Sequence, residues 1–380
     1  MGSCQTRKVN EFTLKAERER FAAEKTRFID SVFALVPDST NEKAFTGAFW
    51  ASELMLTATP GGEEAVRRGL RRFNMFTYSF KRSLLQNAYT LYLPDCFDII
   101  DSLITAEKDE KLFAMMAEYI LSADSTRHVA VITLMRNKFP QWESHPVLKG
   151  LVLFHSGYAT VRNNQLDELI RYRQNANEAS VYVIVSKNRD FPGYAIIQDD
   201  DGHIIKEKND TLRIKLLARS VTNLPGYLTN GNTPTGVFSM QATAVSDNIF
   251  IGPSPVLITF LPFEADIVTF SFGKQLPGQW TKESYNCLYP ASWRSIAQKD
   301  MAYYAGEAGR SEIILHGTAI DEDYYRGQPY FPFTPSLGCL STLEIWDRER
   351  GVRLDSEQMK MIKTLKRHRI DKALVYIIEK

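Results

Sequence analysis

No run of about 18 consecutive apolar residues occurs anywhere in the 380-residue chain, which excludes a helix that spans a bilayer. Cysteine is scarce. Cys4, Cys96, Cys287 and Cys339 are scattered without C-x-x-C spacing, which excludes a zinc site and a disulfide framework. Cys96 and Cys287 therefore read as small buried hydrophobes. An excess of charge is lacking too: the net charge is +1, with no electrostatic bias toward nucleic acid or anionic membrane. The basic run Arg67-Arg68-Gly69-Leu70-Arg71-Arg72 reads as the wet face of a helix. G-x-G-x-x-G, P-loop and H-E-x-x-H motifs are missing, so dinucleotide, nucleotide and zincin chemistry have no support. No cofactor and no metal are expected.

What is present is a globular composition, 44% hydrophobic and 24% charged, on a chain long enough for two domains. From Glu11 to about Gly150 apolar residues recur at helical spacing. Leu14, Phe21, Phe28, Val32 and Leu35 share one face, Pro37-Asp38-Ser39 breaks the run, and a second helix is expected over Asn41 to Ala58. Pro60-Gly61-Gly62 opens another helix with Glu63-Glu64 in its first turn, and Phe73, Phe76, Phe80 and Leu84 form a core stripe. Asp124-Ser125-Thr126 caps a run that reaches Lys138. No repeat period and no catalytic constellation are visible there. After the polar stretch Arg171 to Ala179 the texture turns to short β-prone runs. They lie at Val181–Val185, Tyr194–Gln198, His203–Lys206, Leu212–Ala218, Gly236–Gln241, Val256–Leu261, Ile267–Phe272 and Glu312–Leu315, with a hairpin at Asp200-Asp201-Gly202. Asp355 with Gln358 suggests a capping box for a helix to about Arg369, and Ala373–Ile378 closes as a strand. The reading is an α+β multidomain chain: a helical domain over 1–175, of open role, then a mainly β domain over 176–380.

Two segments concentrate chemistry: Ile313-Ile314-Leu315-His316-Gly317-Thr318, then Thr334-Pro335-Ser336-Leu337-Gly338-Cys339-Leu340. A thiol with its pKa near 8.5 is only a few per cent thiolate at neutral pH, and the thiolate is the nucleophile. An adjacent imidazole can take that proton and return it to a leaving amine, while backbone N–H groups of a tight Gly-Cys turn receive the developing oxyanion. Spacing alone also permits an unrelated pair, since His316 and Cys339 stand 23 positions apart in a chain with six histidines.

These residues resemble the L,D-transpeptidase (YkuD-type) catalytic domain, whose signature is H-G-T or H-S-x, a variable loop, then S-x-G-C. Gly231-Asn232-Thr233-Pro234-Thr235-Gly236-Val237-Phe238 is similar to the family's upstream G-x-x-T-P-T-G-x-F segment, and the likeness covers about residues 180 to 380. The resemblance implies a twisted mixed β-sandwich and a metal-free acyl transfer on peptidoglycan stem peptides. In it Cys339 attacks after the third residue, D-Ala leaves, and an amine resolves the thioester. His316 matches the base, Gly338 the oxyanion turn and Ser336 the motif serine. Gly317, Thr318, Leu337, Ser341, Tyr330 and Arg310 are candidates for substrate contact. Ser341 stands where many members carry Arg and others Asn, and Leu337 where His is frequent. The loop with Tyr324, Tyr325, Tyr330, Phe331 and Phe333 reads as a lid, a source of a tyrosine donor, or a packed surface loop. Arg310 either pairs with a substrate carboxylate or is solvated. Two further functions stay open: a cysteine L,D-carboxypeptidase or amidase of envelope peptides, and a non-catalytic peptidoglycan-binding protein whose helical domain holds an envelope partner. The expected place is the periplasmic side of a bacterial cell envelope. Met1-Gly2-Ser3-Cys4 fits the end of a lipoprotein signal, with a lipid on Cys4, and the loose myristoylation pattern; an arbitrary terminus is the other reading.

Overall fold

A computed structural model describes residues 10–174, 178–273, 276 and 278–380. The expected domain boundary at 175–176 and the candidate lipid site at Cys4 lie outside the described residues. The first part is all helical: α1 (Lys15–Phe33), α2 (Glu42–Leu54), α3 (Pro60–Arg71), α4 (Tyr78–Leu91), α5 (Phe97–Ile104), α6 (Glu110–Ala123), α7 (His128–Lys138), α8 (Pro146–His155) and α9 (Asn163–Gln174). Local chemistry sets several starts. The Thr59 hydroxyl takes the Gly62 amide at the head of α3, and Asp109 takes two amides at the head of α6. Helix α1 buries Ile29, Val32 and Phe33, a stripe rotated from the expected one, which leaves Leu35 48% and Phe28 36% exposed. Phe73, Phe76, Phe80 and Leu84 are all buried as expected, although Phe73 and Phe76 precede α4.

The second part supplies β1 (Ser180–Val185), β2 (Gly193–Gln198), β3 (Lys206–Glu207), β4 (Asp210–Thr211), β5 (Ile214–Leu217), β6 (Gly236–Ala244) and β7 (Val256–Phe260). Three short helices follow, α10 (Ile267–Phe270), α11 (Lys282–Asn286) and α12 (Asp300–Glu307), then β8 (Leu315–His316), β9 (Leu340–Thr342), β10 (Glu344–Asp347), β11 (Val352–Ser356), α13 (Glu357–Arg367) and β12 (Ala373–Glu379). The α+β reading holds. The ladder runs β1-β12-β6-β7-β8-β9-β5-β2 and closes on itself as one barrel, where the resemblance implied a sandwich. It is mixed: β1–β12 and β8–β9 are parallel and the other neighbours antiparallel. Closure leaves these eight strands without an open edge. Alternate residues face opposite ways. Val181, Val183, Ile197, Phe238 and Val375 join one core with α13, while Tyr182, Ile184, Val237 and Tyr376 join another with α9 and Trp293.

Several local expectations fail, among them the strands over Glu312–Leu315 and His203–Lys206, of which only Leu315 in β8 and Lys206 in β3 are strand residues. The run Ile267–Phe272 is helical at α10, because the Asp266 carboxylate accepts the amides of Val268 and Thr269. Helix α13 is capped by Ser356, whose hydroxyl takes the Met359 amide, so the cap sits one residue beyond Asp355. Cys96 is buried, but Cys287 is exposed.

The two parts share a core. Leu224, Tyr227, Leu228 and Met301 from the β part pack in one cluster with the helical interior. Tyr227 donates to Glu118 at 2.5 Å, Tyr325 to the Leu54 carbonyl at 2.8 Å, and Lys149 pairs with Glu307 at 3.1 Å. Helix α9, by contrast, packs on the barrel through Leu166 and Leu169. Gly150 in α8 lies against the Tyr227 ring, where a β-carbon would stand 2.6 Å from Cγ. Gly150→Ala should overpack this seam and lower the unfolding free energy by about 1–3 kcal/mol in urea denaturation. An unchanged midpoint would show that the seam yields without cost.

Candidate functional site

The cysteine turn and the histidine strand meet because β8 and β9 pair in parallel, Leu315 opposite Leu340 and His316 opposite Ser341. Leu315 and Leu340 are both in the barrel core. His316 ends β8 and Cys339 lies in the bend that enters β9, about two residues out of register with it. Leu340 N–H donates to the Ile314 carbonyl at 3.0 Å, tying the first residue after the cysteine to the strand that carries the histidine.

Cys339 is partly exposed, and its Sγ sits between backbone groups. It accepts from Ile314 N–H at 3.5 Å and faces the Glu312 carbonyl at 3.6 Å. Burial pushes the thiol pKa up; the Ile314 amide and the Arg310 charge pull it back, and Glu312 adds to the rise. His316 is 6% exposed, and its Nδ1 lies 2.5 Å from the Gly317 carbonyl. A carbonyl only accepts, so Nδ1 carries the proton and the neutral ring keeps its lone pair on Nε2. Burial lowers the imidazole pKa, while the Gly317 carbonyl raises it. No hydrogen bond joins Sγ to the imidazole.

The turn itself is stapled by Ser336. Its Oγ accepts from Gly338 N–H at 3.0 Å and donates to the Cys339 carbonyl at 2.8 Å. Gly338 N–H is thereby engaged, whereas Cys339 N–H has no partner among the described residues; of the two, the cysteine amide is the one free to receive an oxyanion. Gly338 has φ +117°, a conformation that favours glycine, and a β-carbon there would meet Arg310 Nη2 at 2.1 Å. The upstream motif reaches the same place. Thr233 donates its hydroxyl to the Gly338 carbonyl at 2.8 Å. Arg310 donates to the carbonyls of Gly226, Gly231 and Asn232. It is 5% exposed, so it is not a solvated arginine.

The other candidates divide. Leu337 is 45% exposed beside the cysteine, while Ser341 is buried opposite His316. The Thr318 hydroxyl is engaged by Thr334 at 2.6 Å. Tyr325 and Tyr330 are fully buried and Phe333 nearly so, with the Arg219 guanidinium over the Tyr330 ring at 4.6 Å, so this stretch packs inward; Phe331 is 37% exposed. Sequence reasoning missed Glu344. Its side chain is buried, with Oε1 accepting from Ser254, Ser356 and Arg353, and its Oε2 would stand 2.3 Å from a β-carbon on Gly317. Burial raises its pKa. A single Glu on a two-stranded ribbon gives no local signal of this. A cleft of about 990 Å³, lined by Lys206, Trp346, Arg353, Lys363 and Arg367 among others, includes neither Cys339 nor His316. No group of three or more His, Cys, Asp or Glu side chains suited to a metal exists among the described residues.

No protein-family model, no curated protein and no solved structure matches the chain.

The lowered His316 pKa has a signed consequence for stability. The unfolded imidazole, near its ordinary 6.5, binds a proton at higher pH than the folded one, so this contribution is full above that value and is lost as pH falls through the folded pKa. Urea midpoints at pH 7.5 and 5.5 should therefore differ more for the unmodified chain than for His316→Gln. Equal differences in the two proteins would rule the contribution out.

Proposed function

We propose that the chain is a cysteine L,D-transpeptidase acting on peptidoglycan stem peptides, with Cys339 as nucleophile and His316 as base. The observation that carries this reading is the parallel pairing of β8 with β9, which brings the bend that holds Cys339 beside the strand that ends at His316. The convergence of the Gly231–Phe238 segment on the same turn supports it, since Thr233 holds Gly338. So does the tautomer, which leaves Nε2 as the basic nitrogen.

The chemistry then runs in two halves. The Cys339 proton passes to His316 Nε2, and Sγ attacks the carbonyl that precedes the terminal D-Ala. The Cys339 amide receives the oxyanion, the C–N bond breaks, and the imidazolium protonates the departing amine. A thioester remains on Sγ. An amine of a second stem gives up a proton to His316, attacks the thioester and releases the thiolate. Water in that place gives the carboxypeptidase reaction. The finer sandwich geometry of the family belongs to this same proposal, as does a site of action in the bacterial envelope.

Intact mass spectrometry after exposure to a carbapenem tests the nucleophile. One covalent adduct is expected, mapped to Cys339 and absent from Cys339→Ala. An unmodified protein, or an adduct on another residue, would sink the reading and leave a non-catalytic envelope-binding protein. His316→Ala should slow acylation by about two to four orders of magnitude, and undiminished acylation would take the base role away from it.

A further inference from the structure

We propose that Arg310 is the counter-cation of the Cys339 thiolate, a positioning residue that favours the ionised nucleophile from beneath the Gly338 turn. This rests on the reading of Cys339 as nucleophile and goes further, because nothing in the histidine–cysteine pairing requires a cation there.

The geometry starts from how the guanidinium is held. Nη1 donates to the carbonyls of Gly226 and Asn232, and Nη2 to the carbonyl of Gly231. All three acceptors are neutral and come from one stretch of chain. Among the described residues no carboxylate lies within ion-pair distance of Arg310, and the side chain is 5% exposed. A buried charge met only by dipoles is costly unless an anion completes it. Of the five N–H donors, three are engaged; one on Nη2 and the one on Nε carry no partner among the described residues. Nη2 is the atom that lies against Gly338, 2.1 Å from the place of a β-carbon on that residue. The free donor and the charge therefore stand next to the backbone that enters Cys339.

The other charged or titratable groups facing the sulfur are few. Glu312 offers its carbonyl to Sγ while its own N–H is held by Glu264 at 2.9 Å, and His316 ends β8, the strand beside the bend that holds the cysteine. When the thiol ionises, the Arg310 charge favours the new anion and the Glu312 carboxylate opposes it. Without Arg310 the remaining charge that acts on the sulfur, Glu312, opposes ionisation. Burial draws the guanidinium pKa down to about 9, which still leaves it charged at neutral pH. A substrate carboxylate is a poorer candidate for its partner. The side chain is roofed by the turn and pinned by three carbonyls, so it does not present itself to a ligand arriving from solvent.

The test is the pH dependence of Cys339 alkylation by iodoacetamide in the full chain, read by peptide mass spectrometry. Arg310→Gln keeps an amide donor for the carbonyls and removes the charge; Arg310→Lys keeps the charge. The apparent thiol midpoint should rise by about one unit or more in the Gln variant, which slows alkylation about tenfold below both midpoints, and should move by less than about half a unit in the Lys variant. A merely structural role would shift both variants alike, and equal shifts, or none, overturn the proposal. Should either variant fail to fold, the unmodified protein still decides. The ratio of alkylation by anionic iodoacetate to that by neutral iodoacetamide should be about threefold or more higher at Cys339 than at the exposed Cys287 of the same molecule. A ratio at Cys339 equal to or below that of Cys287 overturns it. None of these measurements uses peptidoglycan or a β-lactam. Failure of the carbapenem adduct with a normal Arg310 dependence counts against the transpeptidase alone, and the reverse result counts against Arg310 alone.

Discussion

The grip of one buried guanidinium on three carbonyls organises everything around the cysteine. Arg310 precedes the histidine strand, its acceptors lie in the 226–232 segment, and its terminal nitrogen supports Gly338. Three stretches remote in sequence are fixed to a single planar group, whose fork of donors makes the arrangement directional. The left-handed turn at Gly338 and the Ser336 staple then leave the Cys339 amide as the free donor beside its sulfur. The parallel pairing of β8 with β9 adds the imidazole.

The helical part bears on this turn indirectly. Leu224, Tyr227 and Leu228 lie in the helical core, and they belong to the same chain segment whose carbonyls hold Arg310. Asn230 donates to Gln86 at 2.9 Å and Tyr325 to Leu54 at 2.8 Å, so both loops that frame the cysteine are moored to helices. Mobility in those loops is limited by packing from both parts. The aromatic stretch after His316 is accordingly a packed loop with one exposed ring, Phe331.

Much of this was legible in the residues. The change of period from helical to alternating located the two textures, because each reflects burial of one face of one element. Asp124 announced a helical start through short-range chemistry that tertiary packing did not override, its carboxylate taking the Thr126 amide in the turn that leads into α7. Cys339, His316 and the Gly231–Phe238 segment stood out because their residue types are rare and their order is specific. Ile267–Phe272 misled because β-branched composition competes poorly with an aspartate that satisfies two amides. Barrel closure was not legible, since it depends on which strands become neighbours across the whole chain. The burial of Arg310 and of Glu344 was not legible either. Arg310 is flanked by Gly309 and the exposed Ser311 and Glu312, which look like a wet turn; its burial comes from residues some eighty positions earlier. Glu344 is buried by Ser254, Ser356 and Gly317, none of them its neighbours in the chain.

The continuous core across the two parts limits how this protein can be rearranged. A module in the evolutionary sense can be cut at a linker and grafted elsewhere with its surface intact. Here such a cut would expose Leu224, Tyr227, Leu228 and Met301 to water together with the helical residues they cover. The barrel and the helices thus share one seam, and an exchange of either half must replace both of its sides at once.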